Sequence, residues 1–380
     1  MFVSMTGVLG GAEVYLARLH RAFSAEAIDV RSVVPADTAL HHLLLSQGST
    51  VLTWPGLLGR LTQRRSGNRW ASRASGLLAA PIASRWLRNH QRRTGCILHY
   101  NSTRALVVGG FPSIAVAEMK DVIAPPFMSR TAVQLVVRKV RSSVSVAVAN
   151  SDFVAKSLLG AGIPESMIVT ILNGVDLAAV KPVTRSERRS IRTREGWEED
   201  DFVITAVGRL TRWKGTHLTI AALKQMLETI PTARLMIVGD RAFDDNKYVT
   251  ELHDQIGRDG TESRVHFTGY RHDADRLMAA SDVVLHSSTF PEPLGLTPIE
   301  SQAVGVPVVA SAAGGPLETV DHGVTGYLFK PGDVKDLCTG LSWAHSIDRD
   351  KVGAAGRRRA EQLFDIRDKA ARYTQLYRAL

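Results

Sequence analysis

Two consecutive α/β domains, each built on a parallel sheet, are the architecture this 380-residue sequence predicts. Three observations point there. Short apolar runs alternate with stretches of helical periodicity along the chain, as strand–helix–strand units with parallel strands do. The length suits about two domains of ~150–200 residues. A charge-dense, proline-bearing segment, Lys181 to Glu199, interrupts the alternation near the middle, as a linker with a surface helix would. The boundary is placed so that a first domain covers 1–177 and a second 178–364.

Taken in order, Phe2 to Met5 is a short buried strand, followed by the turn Thr6-Gly7-Val8-Leu9-Gly10-Gly11 and a helix from Ala12. Strand, glycine-rich turn and helix start form a phosphate- or sugar-approaching unit of a doubly wound sheet, or a turn whose glycines serve tight packing only. The turn lacks G-x-G-x-x-G spacing, and no acidic residue ends a second strand, so a dinucleotide fingerprint is unsupported. Val30 to Pro35 and Thr50 to Thr53 are strands. Cys96 to Ser102 is a strand ending in polar groups, with His99 either positioning a ligand or satisfied within the core. Val144 to Ala149 leads through Asn150-Ser151-Asp152 into a helix from Phe153. Ile168 to Leu172 closes the first half, and Asn173-Gly174-Val175-Asp176 turns the chain.

The second series begins at Phe202 to Val207. The loop after it carries Arg209 and Lys214, two cations suited to a diphosphate or simply solvated. Ala233 to Val238, Val265 to Tyr270, Val283 to His286, Val306 to Ala310 and Tyr327 to Phe329 supply further strands, and 351–380 is helical.

Composition limits the function. The two cysteines, Cys96 and Cys338, have no metal-ligand spacing and form no disulfide framework, which suits a reducing, cytoplasmic compartment. No secretory leader is expected from the opening Met1 to Met5, and no apolar run reaches the ~20 residues that span a bilayer. The net charge of +10 sits in the first half: 19 Lys and Arg against 9 Asp and Glu up to Val180, then 28 against 28. Between Asp37 and Glu118 there is no acidic residue, and Arg60 to Arg93 are interleaved with Trp54, Trp70, Trp86 and paired leucines. That mixture suits an anionic membrane surface, with a plain solvated face the alternative. No compact nucleic-acid motif accompanies it.

The stretch Phe290 to Glu300 places two carboxylates, Glu292 and Glu300, with seven residues between them. Thr297 is expected as N-cap, Pro298 as first helical residue and Glu300 as capping-box partner. The backbone of Leu294, Gly295 and Leu296 would then form an anion nest before a helix N-terminus. Cap and solvated loop charge are the plain alternatives.

Together with these, Gly10-Gly11-Ala12-Glu13, Asn150-Ser151-Asp152, Asn173 to Asp176, Gly208-Arg209-Leu210 with Lys214-Gly215, Val238-Gly239, Phe267-Thr268-Gly269, Gly305 to Ser311, Gly314-Gly315 and Gly326-Tyr327-Leu328 resemble the retaining glycosyltransferases of the GT-B fold, family 4. The likeness is continuous from Asn150 to Gly332 and thinner before it. It implies two Rossmann-like domains facing a central cleft, with the last helix, 365–380, joining the first. It further implies that Arg209 and Lys214 hold the donor diphosphate, Glu300 the ribose and Glu292 the donor sugar. Leu294, Gly295 and Leu296 would lie against sugar and phosphates, and Gly10 and Gly11 would approach diphosphate or acceptor. His99 and Asn101 would position acceptor or sugar, although Asn101 stands where many members carry a second histidine.

The expected activity is transfer of a sugar from a nucleotide diphosphate to a glycan or lipid-linked acceptor in bacterial surface polysaccharide or glycolipid assembly. No cofactor and no metal are expected, since Asp244-Asp245 sits in a polar loop and two cations can neutralise the leaving group. A non-catalytic sugar-nucleotide-binding subunit, an epimerase and a phosphorylase are the alternatives.

Overall fold

A computed structural model describes residues 1–7, 9–26, 28–56, 58, 69–110, 114–240 and 246–380, and of residues 69–79 and 246 the backbone alone. Leu57, Arg60, Arg64, Arg65, Asp244 and Asp245, with the side chains of Arg69, Trp70, Arg73, Leu77 and Leu78, lie outside the described residues. The chain divides into two compact units, Met1–Gly174 with Ile366–Leu380, and Val175–Asp365.

The first unit carries a sheet of seven strands, all parallel: β1 (Phe2–Val3), β2 (Arg31–Val34), β3 (Thr50–Thr53), β4 (Leu98–Tyr100), β5 (Ala115–Met119), β6 (Val146–Ala149) and β7 (Ile168–Thr170). Their spatial order is β3-β2-β1-β4-β5-β6-β7, so the order reverses between β1 and β4. One face is covered by α1 (Gly11–Ala22), α2 (Ala39–Ser46) and, from the other end of the chain, α15 (Ile366–Arg378), which bring Leu16, Leu19, Leu44 and Tyr373 onto Phe2, Val116 and Val148. The opposite face is covered by α3 (Arg69–Thr94), α4 (Thr103–Gly109), α5 (Arg130–Ser143) and α6 (Asp152–Gly160). Alternate residues of each strand therefore serve different layers, as a period of two requires.

Trp54 corrects one expectation. It is not an aromatic of a membrane-facing surface: it lies in the core, and its indole N–H donates to Ser4 O at 3.0 Å. Leu58 is likewise buried.

Strand β5 and helix α5 are not among the expected elements. The run Ala115-Val116-Ala117-Glu118-Met119 is short and carries a carboxylate, so its apolar signal is weak. In the fold that carboxylate is fully buried. Lys120 Nζ lies 2.9 Å from Glu118 Oε2, His99 Nε2 lies 3.4 Å from the same oxygen, and Tyr373 donates to Oε1 at 3.1 Å. Burial pushes the Glu118 carboxyl up, but Lys120 and His99 outweigh it and hold the group at about 2. Burial pushes the His99 imidazole down. A hydrogen bond of 2.6 Å between His99 Nδ1 and Tyr377 ties the same network to α15.

The second unit has six parallel strands: β8 (Phe202–Val207), β9 (Ala233–Val238), β10 (Val265–Gly269), β11 (Val283–His286), β12 (Val308–Ser311) and β13 (Gly326–Phe329), in the order β10-β9-β8-β11-β12-β13. Its helices are α7 (Arg185–Arg194), α8 (Thr216–Met226), α9 (Asn246–Asp259), α10 (Ala274–Ala279), α11 (Leu296–Ala303), α12 (Pro316–Thr319), α13 (Val334–Ser346) and α14 (Arg349–Leu363). Thr184 and Glu187 form the capping box of α7, in the charge-dense segment. The buried Arg192 of that helix anchors it on Asp282 at 2.5 Å.

Helix α11 is braced from behind. A Cβ on Gly353 of α14 would meet Gly305 O at 1.9 Å, and Arg357 donates to Ala303 O at 2.6 Å and Val180 O at 3.0 Å. Expectation and structure agree on the fold class: two α/β units, each on a parallel sheet.

The Glu118 network makes an acid-stability prediction. Its folded carboxyl titrates below the ordinary 4.5, so its stabilisation is complete above 4.5 and is lost as pH falls from there towards about 2. His99, depressed from 6.5, adds a loss that begins as pH falls below that value. Urea unfolding at stepped pH is expected to show stability falling from about pH 6.5 downward, and Glu118→Gln is expected to flatten the segment below 4.5 while lowering stability at neutral pH.

Candidate functional site

In the second sheet the strand order reverses between β8 and β11, which are paired in register from Val283 with Ile204 to Leu285 with Ala206. The loops leaving their carboxyl ends therefore share one edge, the place where open α/β sheets bind ligands. Loop 208–215 follows β8 and loop 287–295 follows β11.

Side-chain and backbone bonds tie the two loops together. Thr289 N–H donates to Trp213 O at 2.7 Å, Ser287 Oγ donates to Lys214 O at 3.0 Å, and Thr219 and Ser287 hydroxyls are 3.0 Å apart. Gly215, at φ 74°, makes the closest approach: a Cβ there would lie 2.0 Å from Ser287 O. Glycine is required for both the left-handed backbone and the contact.

Glu292 sits at the centre of this arrangement and is 7% exposed. Lys214 Nζ donates to its Oε1 at 2.5 Å, His286 Nε2 lies 2.8 Å from that oxygen, and the Ser288 hydroxyl donates to it as well. Burial pushes the Glu292 carboxyl up, yet Lys214 and then His286 outweigh it and hold the group well below the usual carboxylate range. The carboxylate is thus ionised, buried and oriented. The Lys214 ammonium also lies 4.6 Å from the Trp213 ring centroid. Arg209 is exposed and, among the described residues, has no ion pair. A small pocket lined by Gly208, Arg209, Lys214, Thr216, His286, Ser287 and Ser288 opens beside these groups.

The helix following Glu292 begins differently from the expectation. Residue Gly295, at φ 80° and ψ 92°, is the N-cap, and α11 starts at Leu296. Thr297 is therefore the second helical residue and Pro298 the third, and neither the Thr297 N-cap nor the Glu300 capping box exists. Glycine reaches a backbone that turns the chain into the helix two residues early, and Thr297 instead donates from its hydroxyl to Val207 O at 3.4 Å. The early start leaves the backbone N–H groups of Leu296 and Thr297 in the first turn, where intrahelical partners are lacking. The loop is held from the other side by Gly314 and Gly315. A Cβ on Gly314 would meet Glu292 O at 2.3 Å, one on Gly315 would meet Leu294 Cα at 2.2 Å, and Gly315 N–H donates to Glu292 O at 2.8 Å. Glu300 is half-buried on α11.

Loop 208–215 and residues 286–296 thus collect Arg209, Lys214, Glu292, Leu294, Gly295 and Leu296, with Glu300 one turn along. His286 and Ser288 belong to the same cluster and are not singled out by the sequence. The available signal is a histidine ending an otherwise apolar buried strand, directly before the Glu292 loop.

Gly10, Gly11, His99 and Asn101 lie in the first unit. Gly10 is the N-cap of α1 and Gly11 its first residue. His99 and Asn101 are buried. The Asn101 amide oxygen accepts from Lys120 Nζ at 2.6 Å, while its Nδ2 has no partner among the described residues.

Residues 187–359 match the family model described as glycosyl transferases group 1. Among curated relatives, spore coat protein SA of Bacillus subtilis is 29% identical over 62% of this chain and 65% of its own length. Sulfoquinovosyl transferase SQD2 of Arabidopsis thaliana is 30% identical over 60% of this chain and 43% of its own. The chain therefore spans less than two thirds of the length of these relatives. Among solved structures, HepE of Anabaena in complex with UDP-glucose superposes with a TM-score of 0.85 at 29% identity, covering 100% of this chain and 99% of that one. WaaG, a glycosyltransferase of lipopolysaccharide biosynthesis, shares the fold with a TM-score of 0.73 at 18% identity, covering 98% of both chains.

Removing the Lys214 charge leaves Glu292 buried without its main partner. Lys214→Met is expected to destabilise the second unit by about 3 kcal/mol and to raise the Glu292 pKa, read by denaturant unfolding and by carboxyl NMR titration. A variant as stable as the parent would show that the pair contributes little.

Proposed function

We propose that this chain transfers a sugar from a nucleotide-diphosphate donor to a glycan or lipid-linked acceptor, with retention at the anomeric carbon and with no metal or cofactor taking part in the transfer. The observation that carries the reading is the ionised, buried Glu292, oriented by Lys214 and His286 at a sheet edge beside the start of a helix. It falls within the segment that matches the glycosyl transferase family model.

Charge and placement support the roles of Arg209, Lys214 and Glu292, and the family resemblance alone supports those of Glu300, Gly10, Gly11, His99 and Asn101. Arg209 and Lys214 offer positive charge to the leaving diphosphate, and the N–H groups at the start of α11 add to it. As the bond to the sugar breaks, negative charge grows on the phosphate, and fixed cations stabilise that growth more than they stabilise the bound donor. Glu292 is a positioning group for sugar hydroxyls. Lys214, His286 and Ser288 converge on its Oε1, which leaves lone pairs of Oε2 to a ligand. Glu300 is assigned to the ribose. With no carboxylate assigned as nucleophile, the acceptor attacks from the face the diphosphate leaves, and a phosphate oxygen takes its proton. Gly10 and Gly11 are assigned to the diphosphate or acceptor, and His99 and Asn101 to acceptor or sugar. UDP-glucose is the first donor to test, because HepE binds it.

An anionic membrane surface is part of the proposal, along with a cytoplasmic location and a bacterial surface glycan or glycolipid as product. Its support is charge placement. From residue 38 to 151 there are 15 Lys and Arg against 2 Asp and Glu, and one of the acids is the buried Glu118. On α3, Arg85, Arg88, Arg92 and Arg93 are exposed beside Ile82, 46% exposed. On α5, which covers the same sheet face, Arg138 and Arg141 are exposed beside Leu135, 44% exposed. No helix is long and apolar enough to cross a membrane among the described residues.

Donor binding raises apparent stability by mass action. A thermal-shift screen with UDP, GDP, ADP and their sugars is expected to show one nucleotide family raising Tm, and Arg209→Ala to abolish that shift. In transfer or donor-hydrolysis assays Glu292→Gln is expected to lose about 10²-fold or more in kcat. Near-full activity would remove Glu292 from the machinery, and no turnover of any donor by the parent protein would favour a binding subunit. In liposome flotation, binding is expected with anionic and not with neutral vesicles, weakening with salt. Flotation that is independent of lipid charge would refute the membrane assignment.

A further inference from the structure

We propose that Asp37, His41 and His42 form a binding site for one divalent transition-metal ion, with zinc as the reference ion. The site belongs to the first unit, whereas the carboxylate and cations assigned to the donor belong to the second, and it does not rest on the transfer reaction.

One carboxylate oxygen and one ring nitrogen from each histidine lie within 4.8 Å of one another. Metal–ligand bonds of ~2.0–2.2 Å put tetrahedral ligand atoms about 3.3–3.5 Å apart, so small side-chain rotations close the set. Two imidazoles and a carboxylate are borderline ligands of the kind zinc and its first-row neighbours take, and three protein ligands leave a position for water.

The backbone holds the three in place. Asp37 has φ 52° and is the only non-glycine residue with positive φ among those described. Aspartate is one of the few residues that tolerates this conformation. The turn it makes sets its carboxylate beside the first turn of α2, four residues before His41 and five before His42. Thr38, the N-cap, accepts from His41 N–H at 3.3 Å and donates to Pro35 O at 2.9 Å, and His42 N–H donates to Thr38 O at 3.0 Å. The two imidazole centroids are 5.5 Å apart.

Packing does not account for Asp37 or His42. Helix α2 buries itself through Leu40 and Leu44, while Asp37 and His42 are exposed and His41 is half-buried. His41 Nδ1 is nevertheless shielded from solvent and has no hydrogen-bond partner among the described residues. A metal ion bound through Nδ1 would supply that partner.

The site is joined mechanically to the glycine-rich turn. Leu40 N–H donates to Gly7 O at 3.1 Å, and a Cβ on Gly7 would fall 2.2 Å from Thr38 Cβ. An ion that stiffens 37–42 therefore stiffens the backbone that Gly7 packs on, just before Gly10 and Gly11.

The test is calorimetric titration of the untagged full chain with ZnCl2 at pH 7.5, alongside Asp37→Asn and His42→Ala. Both altered residues are exposed, so the variants are expected to fold, which circular dichroism and Tm without metal would verify. One zinc per chain is expected, with each variant weakening binding by more than about tenfold. Co2+ in place of zinc is expected to give a visible absorption band that His42→Ala alters. Binding only at millimolar zinc, as scattered surface imidazoles give, or equal affinity in the parent and both variants, would overturn the proposal.

Discussion

The ion pair between Glu292 and Lys214 is the interaction on which the rest of the second unit's functional edge depends. A carboxylate 7% exposed is costly to ionise, and only the ammonium 2.5 Å away, with His286 and Ser288, keeps it charged. Everything around it serves to hold that geometry. Gly215 lets loop 208–215 touch Ser287, and Gly314 and Gly315 let the neighbouring backbone close on residues 292–294. Gly295 starts α11 early, while Arg357 and Gly353 fix the far end of the helix. Gly215, the pair Gly314 and Gly315, and Gly353 lie far apart along the chain but act alike, since each removes a side chain where two backbones must meet.

The first unit uses the same physics for a different purpose. Glu118 is also buried, ionised and paired with a lysine, but its further partners, His99, Tyr373 and, through His99, Tyr377, fasten α15 to the sheet. The two carboxylates show how one type of group divides between roles. Glu292 lies on a loop at the strand ends, with a pocket beside it, whereas Glu118 lies within a strand beneath helices.

Much of the fold was legible because apolar runs alternate with amphipathic ones. Strand β5 was not, since Glu118 breaks its short apolar run. A buried charge there becomes tolerable only through Lys120, itself tied to Asn101, and through Tyr373, 255 residues away. Trp54 looked like a surface aromatic beside arginines; in the fold it is buried in the core and bonded to Ser4 O, a neighbour distant in sequence. The Thr297-Pro298 signature suggested a cap by local preference, and Gly295 overrode it. His286 was visible as a polar strand end but had no stated purpose until Glu292 folded back on it.

By itself the sequence determined two parallel α/β units, an uneven positive charge and the residues Arg209, Lys214, Glu292 and Glu300 as a group of interest, because periodicity, composition and motif spacing are local properties. The tertiary structure decided which of those groups meet, which oxygen of Glu292 is occupied, where α11 begins and what holds α15. Those outcomes depend on burial and on partners far along the chain. The energy of a buried charge is set by what lies within a few ångströms of it, and that is known only once the chain has folded.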